Sequence, residues 1–208
     1  MNDLKFFTNM PERDLYSRFS TILRNHTQFF DILVGYFRTS GFFRLYSAMK
    51  DIEEIRVLVG LNVDRKTVEI IDHVNGQPTI KQATEVFSDA IEAEFEEAPT
   101  SADVEKGVRY FIEWLKTGKL QLRMYVEAPL HAKVYIMRKD PNYADYYGSV
   151  ITGSSNFSEA GLVNNLEFNV ELRDCADVTF ALERFEELWQ HSVPVEEAYV
   201  QAIENLTC

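Results

Sequence analysis

A chain of 208 residues, 46% hydrophobic and 13% aromatic, has the length of one domain, at most with a terminal extension, and enough apolar material for a real core. Two cysteines, Cys175 and Cys208, imply no disulfide framework, and no apolar run approaches the roughly 18 residues of a membrane span. With no charged start and apolar run of a leader either, the expectation is a cytoplasmic protein without a membrane segment. A net charge of -12 argues against broad binding of phosphate backbones, which are held through Lys and Arg.

In chain order, Leu15, Phe19, Ile22, Leu23 and Phe29-Phe30 fall at helical spacing, so Glu12 to Phe30 is predicted as an amphipathic helix opened by Pro11. Asp31 to Phe37 follows as a short buried strand. Thr39-Ser40-Gly41 caps a helix through Leu45 and Met49, with Phe42, Phe43 and Tyr46 turned to the core, and Ile55 to Leu61 is a second buried strand. Strand, helix and strand within about 30 residues predict a parallel pair. Asn75-Gly76-Gln77-Pro78 reads as a turn, and Gln82 to Glu97 as an acidic helix. Asp103 to Lys116 is a further helix, either lid or packing layer, with Val108, Phe111, Ile112 and Leu115 inward and Gly118 as its stop.

Leu120 to Val126 alternates cleanly and is expected to pair beside the next strand, His131-Ala132-Lys133-Val134-Tyr135-Ile136. A polar loop from Lys139 to Gly148 follows, whose Tyr143, Tyr146 and Tyr147 are candidates to stack on bases. Ser158 to Gly161 is a helical turn after the next strand. Asp177 is the expected N-cap of a helix through Phe180, Leu182, Phe185, Leu188 and Trp189, and Val193-Pro194 separates it from a last helix reaching Asn205. The division is therefore residues 1–192 as the main domain and 193–208 as a C-terminal helix leading to a further domain.

The chemistry concentrates in three stretches. In the first, His131 and Lys133 share one strand face, roughly 6.6 Å apart, about the width of a phosphate group. Ser154 and Asn156, in Gly153-Ser154-Ser155-Asn156, repeat that spacing with a hydroxyl and an amide. In the third, Leu166, Phe168 and Val170 alternate with Glu167, Asn169 and Glu171, which predicts a strand with one apolar face and one polar face that offers a carboxylate. A neutral histidine can attack phosphorus, while Lys133, Ser154 and Asn156 donate to the phosphoryl oxygens. Glu167 would fix the imidazole tautomer. A leaving alcohol needs an acid, and none of His26, His73 or His191 sits in a setting like that of His131. The local charge suits this chemistry, since Lys119 to Lys139 holds five basic residues against Glu127 alone, whereas Asp140 to Cys208 holds two against thirteen acidic ones.

In His131-x-Lys133, Gly153-Ser154-x-Asn156 and the downstream Glu167 the chain resembles the phospholipase D superfamily, whose signature has these pieces in this order and at this distance. The family usually places an aspartate five residues after the lysine, a slot filled here by Arg138, and its nuclease branch often lacks that aspartate. The text around the second motif, Val150-Ile151-Thr152 and Phe157 to Leu162, is similar to phospholipase D-like domains at the front of bacterial helicase-type and restriction-related proteins.

The resemblance implies an α/β fold with a mixed central sheet flanked by helices on both faces. It implies a phosphodiesterase acting through a phosphohistidine on His131, with DNA as the expected substrate and no cofactor or metal. Superfamily members with two signature copies join them around one site, so a single copy implies a homodimer whose second His131 is the missing acid. Two other readings stay open. One is a non-catalytic DNA-binding or dimerisation module serving a helicase-type partner domain, towards which Arg138 and the acidic charge lean. The other is a lipid-directed enzyme of the cardiolipin synthase kind, which the lack of a basic amphipathic helix disfavours.

Overall fold

The computed structural model of the chain describes residues 5–60, 102–142 and 147–195. Its strands are β1 (Phe6–Thr8), β2 (Phe29–Val34), β3 (Glu54–Gly60), β4 (Leu120–Tyr125), β5 (Lys133–Arg138), β6 (Gly148–Gly153), β7 (Phe168–Leu172) and β8 (Ser192–Pro194). They form one mixed sheet in the order β1-β7-β6-β5-β2-β3-β4-β8. Helices α1 (Leu15–His26), α2 (Thr39–Leu45) and α3 (Ala102–Thr117) lie on one face, and α4 (Cys175–Gln190) on the other. This is the α/β sheet flanked on both faces that the sequence implies.

The first helix starts later and stops earlier than its apolar spacing suggests. Asp14 accepts from Tyr16 N at 3.1 Å and Ser17 N at 2.9 Å and so caps α1, while Pro11–Arg13 forms a separate 3-10 turn. Phe29 and Phe30 belong to β2, where Phe30 is fully buried against Phe19. Strands β2 and β3 pair in parallel across α2, as predicted, and Thr39 is itself helical. Helix α3 is a packing layer whose Phe111, Trp114 and Leu115 are buried, and Gly118 ends it at a φ of 75°.

The alternation of β4 holds, but its expected neighbour does not. It pairs in parallel with β3 and antiparallel with β8, while β5 crosses back to lie between β2 and β6. Period-two alternation reports which face is covered and says nothing about the partner. Val193 and Pro194 are edge strand rather than separator, and Asp174, not Asp177, occupies the N-cap position of α4. Tyr147 packs against the smaller core beneath α4, and its carbonyl accepts from Lys139 N, so it is not a free stacking residue. Tyr143, Tyr146, the turn at Asn75, the helix from Gln82 to Glu97 and the helix to Asn205 lie outside the described residues.

Both faces of β5 are used. Tyr135 and Met137 enter the large core with α1, and Ile136 enters the small core with Val178, Phe185 and Trp189 of α4. At the far end of β5, Arg138 Nε donates to Asp31 at 3.1 Å and the guanidinium covers the Phe29 ring. Asp31, 1% exposed, also accepts from Arg56 Nε at 2.6 Å, and Arg56 reaches Glu186 at 2.6 Å. Burial pulls the Arg56 guanidinium down, but its bonds to Asp31 and Glu186 outweigh this and hold its pKa above the ordinary value. Arg138 thus fills the usual aspartate slot by pairing with a carboxylate on the neighbouring strand.

Candidate active site

The register brings the signature segments to one edge of the sheet. Val34 pairs with Lys133, Val134 with Thr152, and Gly153 with Asn169, so the end of β2, the start of β5, the end of β6 and the start of β7 form a row. This is the carboxyl end of the parallel strands, where α/β sheets ordinarily bind ligands. His131 and Ser154 lie just outside β5 and β6 rather than within them, and Glu167 lies just ahead of β7.

A cleft of about 160 Å³ opens there, lined by Gly35, Tyr36, Pro129, Leu130, His131, Lys133 and Asn156. That is the liquid volume of about five waters. Three of the five predicted site residues therefore meet around one cavity. His131 is exposed, and Lys133 Nζ donates to its carbonyl at 3.3 Å, so the ammonium stays at the cleft instead of entering the core. The side-chain oxygen of Asn156 is buried without a hydrogen-bond partner, which costs about 1–3 kcal/mol unless a donor such as water satisfies it, and the Nδ2 of the same amide is the group able to donate to a phosphoryl oxygen.

Ser154 and Glu167 pair with each other beside the cleft. Ser154 Oγ donates to Glu167 Oε2 and accepts from Phe168 N at 3.0 Å, while Asn165 Nδ2 donates to Glu167 Oε1 at 3.3 Å. Glu167 also reaches the large core electrostatically. Tyr135 is fully buried, and burial first and the Glu167 charge second push its hydroxyl well above the ordinary tyrosine range. It stays protonated and donates to Ser155 O at 2.7 Å.

Asn169 supports the turn that carries two of the candidate residues, a role that alternation along the sequence does not reveal. It is 1% exposed, donates to Ser155 Oγ at 2.8 Å and accepts from Ser155 N at 3.3 Å, which pins the turn carrying Ser154 and Asn156. Gly153 permits this, because a Cβ there would sit 2.2 Å from Phe168 O. Alternation predicts a polar and an apolar face of β7, and the structure buries the polar one. Asn169 and Glu171 are buried, whereas Leu166 and Phe168 are 63% and 60% exposed. The polar residues point inward because partners wait there, namely Ser155 for Asn169 and Arg18 for Glu171, at 2.8 Å. Alternation alone could not reveal those partners.

Among the described residues no group of three or more His, Cys, Asp or Glu is placed to hold a metal ion, and no helix is long and apolar enough to cross a membrane.

A single protein family accounts for this architecture. The family described as "Cardiolipin synthase, PLD-like domain" matches residues 20–189, and the chain belongs to it. In fold it is similar to the NucT protein of Helicobacter pylori, at 16% identity and a TM-score of 0.50 over 91% of this chain and 96% of that one. It is likewise similar to Nuc of Salmonella typhimurium, a phospholipase D family member, at 14% identity and 0.51 over 91% and 95%. Phosphatidylserine synthase of Haemophilus influenzae shares the fold at 12% identity and 0.53, over 92% of this chain but only 39% of that one. No curated protein sequence matches the chain.

Proposed function

We propose that the protein is a phosphodiesterase that hydrolyses DNA without a metal, through a phosphohistidine on His131. The observation that carries this is the meeting of His131, Lys133 and Asn156, from two separate segments, around one phosphate-scale cleft. A ring nitrogen of His131 attacks phosphorus, forming the P–N bond as the bond to the leaving oxygen breaks. Lys133 and Asn156 donate to the phosphoryl oxygens as charge gathers on them. In the second step water attacks, the P–N bond breaks and the imidazole is restored. Glu167 fixes the ring tautomer when its Oε2 exchanges Ser154 for the imidazole, which frees the Ser154 hydroxyl for the phosphate.

One histidine serves as nucleophile, so the leaving oxygen takes its proton from His131 of the partner subunit in a twofold dimer, and water returns that proton in the second step. The uncovered apolar end of the sheet suits a second copy. Phe6, 58% exposed on β1, pairs with Val170 and lies diagonally across from the exposed Phe168, and Glu167 stands between Phe168 and the exposed Leu166 along the chain. A surface continuous with the site is where a subunit sharing that site has to dock. The family resemblance also implies a further helicase-type domain reached through the segment 193–208.

Brief exposure of the protein to an oligonucleotide with a labelled scissile phosphate, followed by denaturation and peptide mapping, is expected to place the label on His131 in the presence of EDTA. DNA bound with no label transferred and no turnover would leave the non-catalytic DNA-binding module instead. Turnover of phosphatidylglycerol but not of DNA would redirect the reading to lipids.

A further inference from the structure

We propose that Tyr36, backed by Arg38, is the subsite for the nucleobase next to the scissile phosphate, and that it makes the enzyme prefer nucleoside phosphodiesters over simple ones. This rests on the phosphodiesterase reading and names the substrate chemistry of the same cleft. Tyr36 lines the cleft with His131, Lys133 and Asn156, yet no step of the reaction uses it. The Arg38 guanidinium sits 4.7 Å from the centre of its ring. An aromatic ring backed by a guanidinium is the surface on which unpaired bases stack.

The platform is held rigidly relative to the chemistry. On one side Gly35 N donates to Ala132 O at 2.9 Å, and a Cβ on Gly35 would meet Leu130 O at 2.5 Å, so the backbone after β2 abuts the His131 segment. On the other side Arg38 N donates to Phe157 O at 3.0 Å, and the buried Phe37 stacks on Phe157 at 5.4 Å with the rings 7° from parallel. Phe37 anchors the turn, and Tyr36 and Arg38, its neighbours on either side, carry the half-exposed ring and cation. Tyr36 is thereby strapped between the segments that carry His131 and Asn156. A base bound there would fix its own phosphate in the cleft. A glycerol or methyl group has no flat face to offer the ring.

The test compares p-nitrophenyl esters of thymidine 5′- and 3′-phosphate with methyl p-nitrophenyl phosphate. The wild type is expected to favour one thymidine ester over the methyl ester by about tenfold in kcat/KM, mainly through KM, within the range of one stacked base. Tyr36→Leu should erase that preference by losing kcat/KM on the thymidine ester about tenfold more than on the methyl ester, and Tyr36→Phe should keep it, since the ring rather than the hydroxyl does the stacking. Thermal melting of each variant checks that the fold is intact. A Tyr36→Leu enzyme that retains the thymidine preference overturns the subsite and leaves the phosphodiesterase standing. A wild type that hydrolyses none of the esters overturns both.

Discussion

The two ends of β5 carry polar residues of similar kind to opposite purposes. At Arg138 every charge is answered, by the buried Asp31, and through Asp31 by Arg56 and the part-exposed Glu186, with aromatic rings against the guanidinium groups. At Lys133 the strand opens into a cleft in which the side-chain oxygen of Asn156 is buried and unanswered, and His131 stands exposed. The lesson is that a charged side chain on a central strand is structural where its neighbours complete it and available for chemistry where they do not. The family's usual aspartate slot lies at the completed end, where Arg138 pairs with Asp31.

Opposite substitutions at the two ends should separate the roles. His131→Asn is expected to lower phosphodiesterase activity by at least about 10³-fold, since it removes the proposed nucleophile. Its melting temperature should stay within about 2 °C of wild type, as for a surface change. Joint replacement Leu166→Glu and Phe168→Glu puts charge on the uncovered apolar face, and light scattering should then report a monomer whose activity has fallen at least tenfold. A fully active monomer would sink the shared-site reading. At the other end, Asp31→Asn leaves Arg56 and Arg138 short of their common carboxylate. It should cost about 3 kcal/mol, or about 6–12 °C of melting temperature, with unchanged turnover per folded molecule. A stable Asp31→Asn protein that has lost turnover would erase the distinction between the ends.

Much of this was legible in the sequence because the signals were local. The apolar spacing of α1 and α3, the parallel pair across α2 and the grouping of His131, Lys133 and Asn156 all follow from period and order along the chain. What was not legible depends on residues far apart. Asn169 is buried by Ser155, Glu171 by Arg18, and β4 is set beside β3 by a crossover. No reading of β7 alone could tell that its polar residues turn inward, since two faces of equal period look the same until the partners are known. Tyr36 reads from the sequence only as part of an apolar run, and it is the fold that brings the end of that run into the cleft.

Glu171 gives the mildest test, because it is a buried carboxylate whose partners are not themselves buried. It is 3% exposed and takes Arg18 at 2.8 Å and Arg173 at 2.7 Å, yet those side chains retain 25% and 58% exposure. Glu171→Gln frees two guanidinium groups that water can reach, so the expected loss is about 1–2 kcal/mol, smaller than at Asp31. Burial alone would raise the Glu171 pKa, but the bonds from Arg18 and Arg173 overcome it and hold the group below its ordinary 4.5. A depressed carboxylate pKa stabilises the fold fully above 4.5, and that contribution fades as pH falls through the folded value. The melting difference between wild type and Glu171→Gln should therefore be constant near neutrality and shrink below about pH 4.5. A difference that grows in acid would mean that the protonated carboxyl, and not the charged one, is what β7 requires.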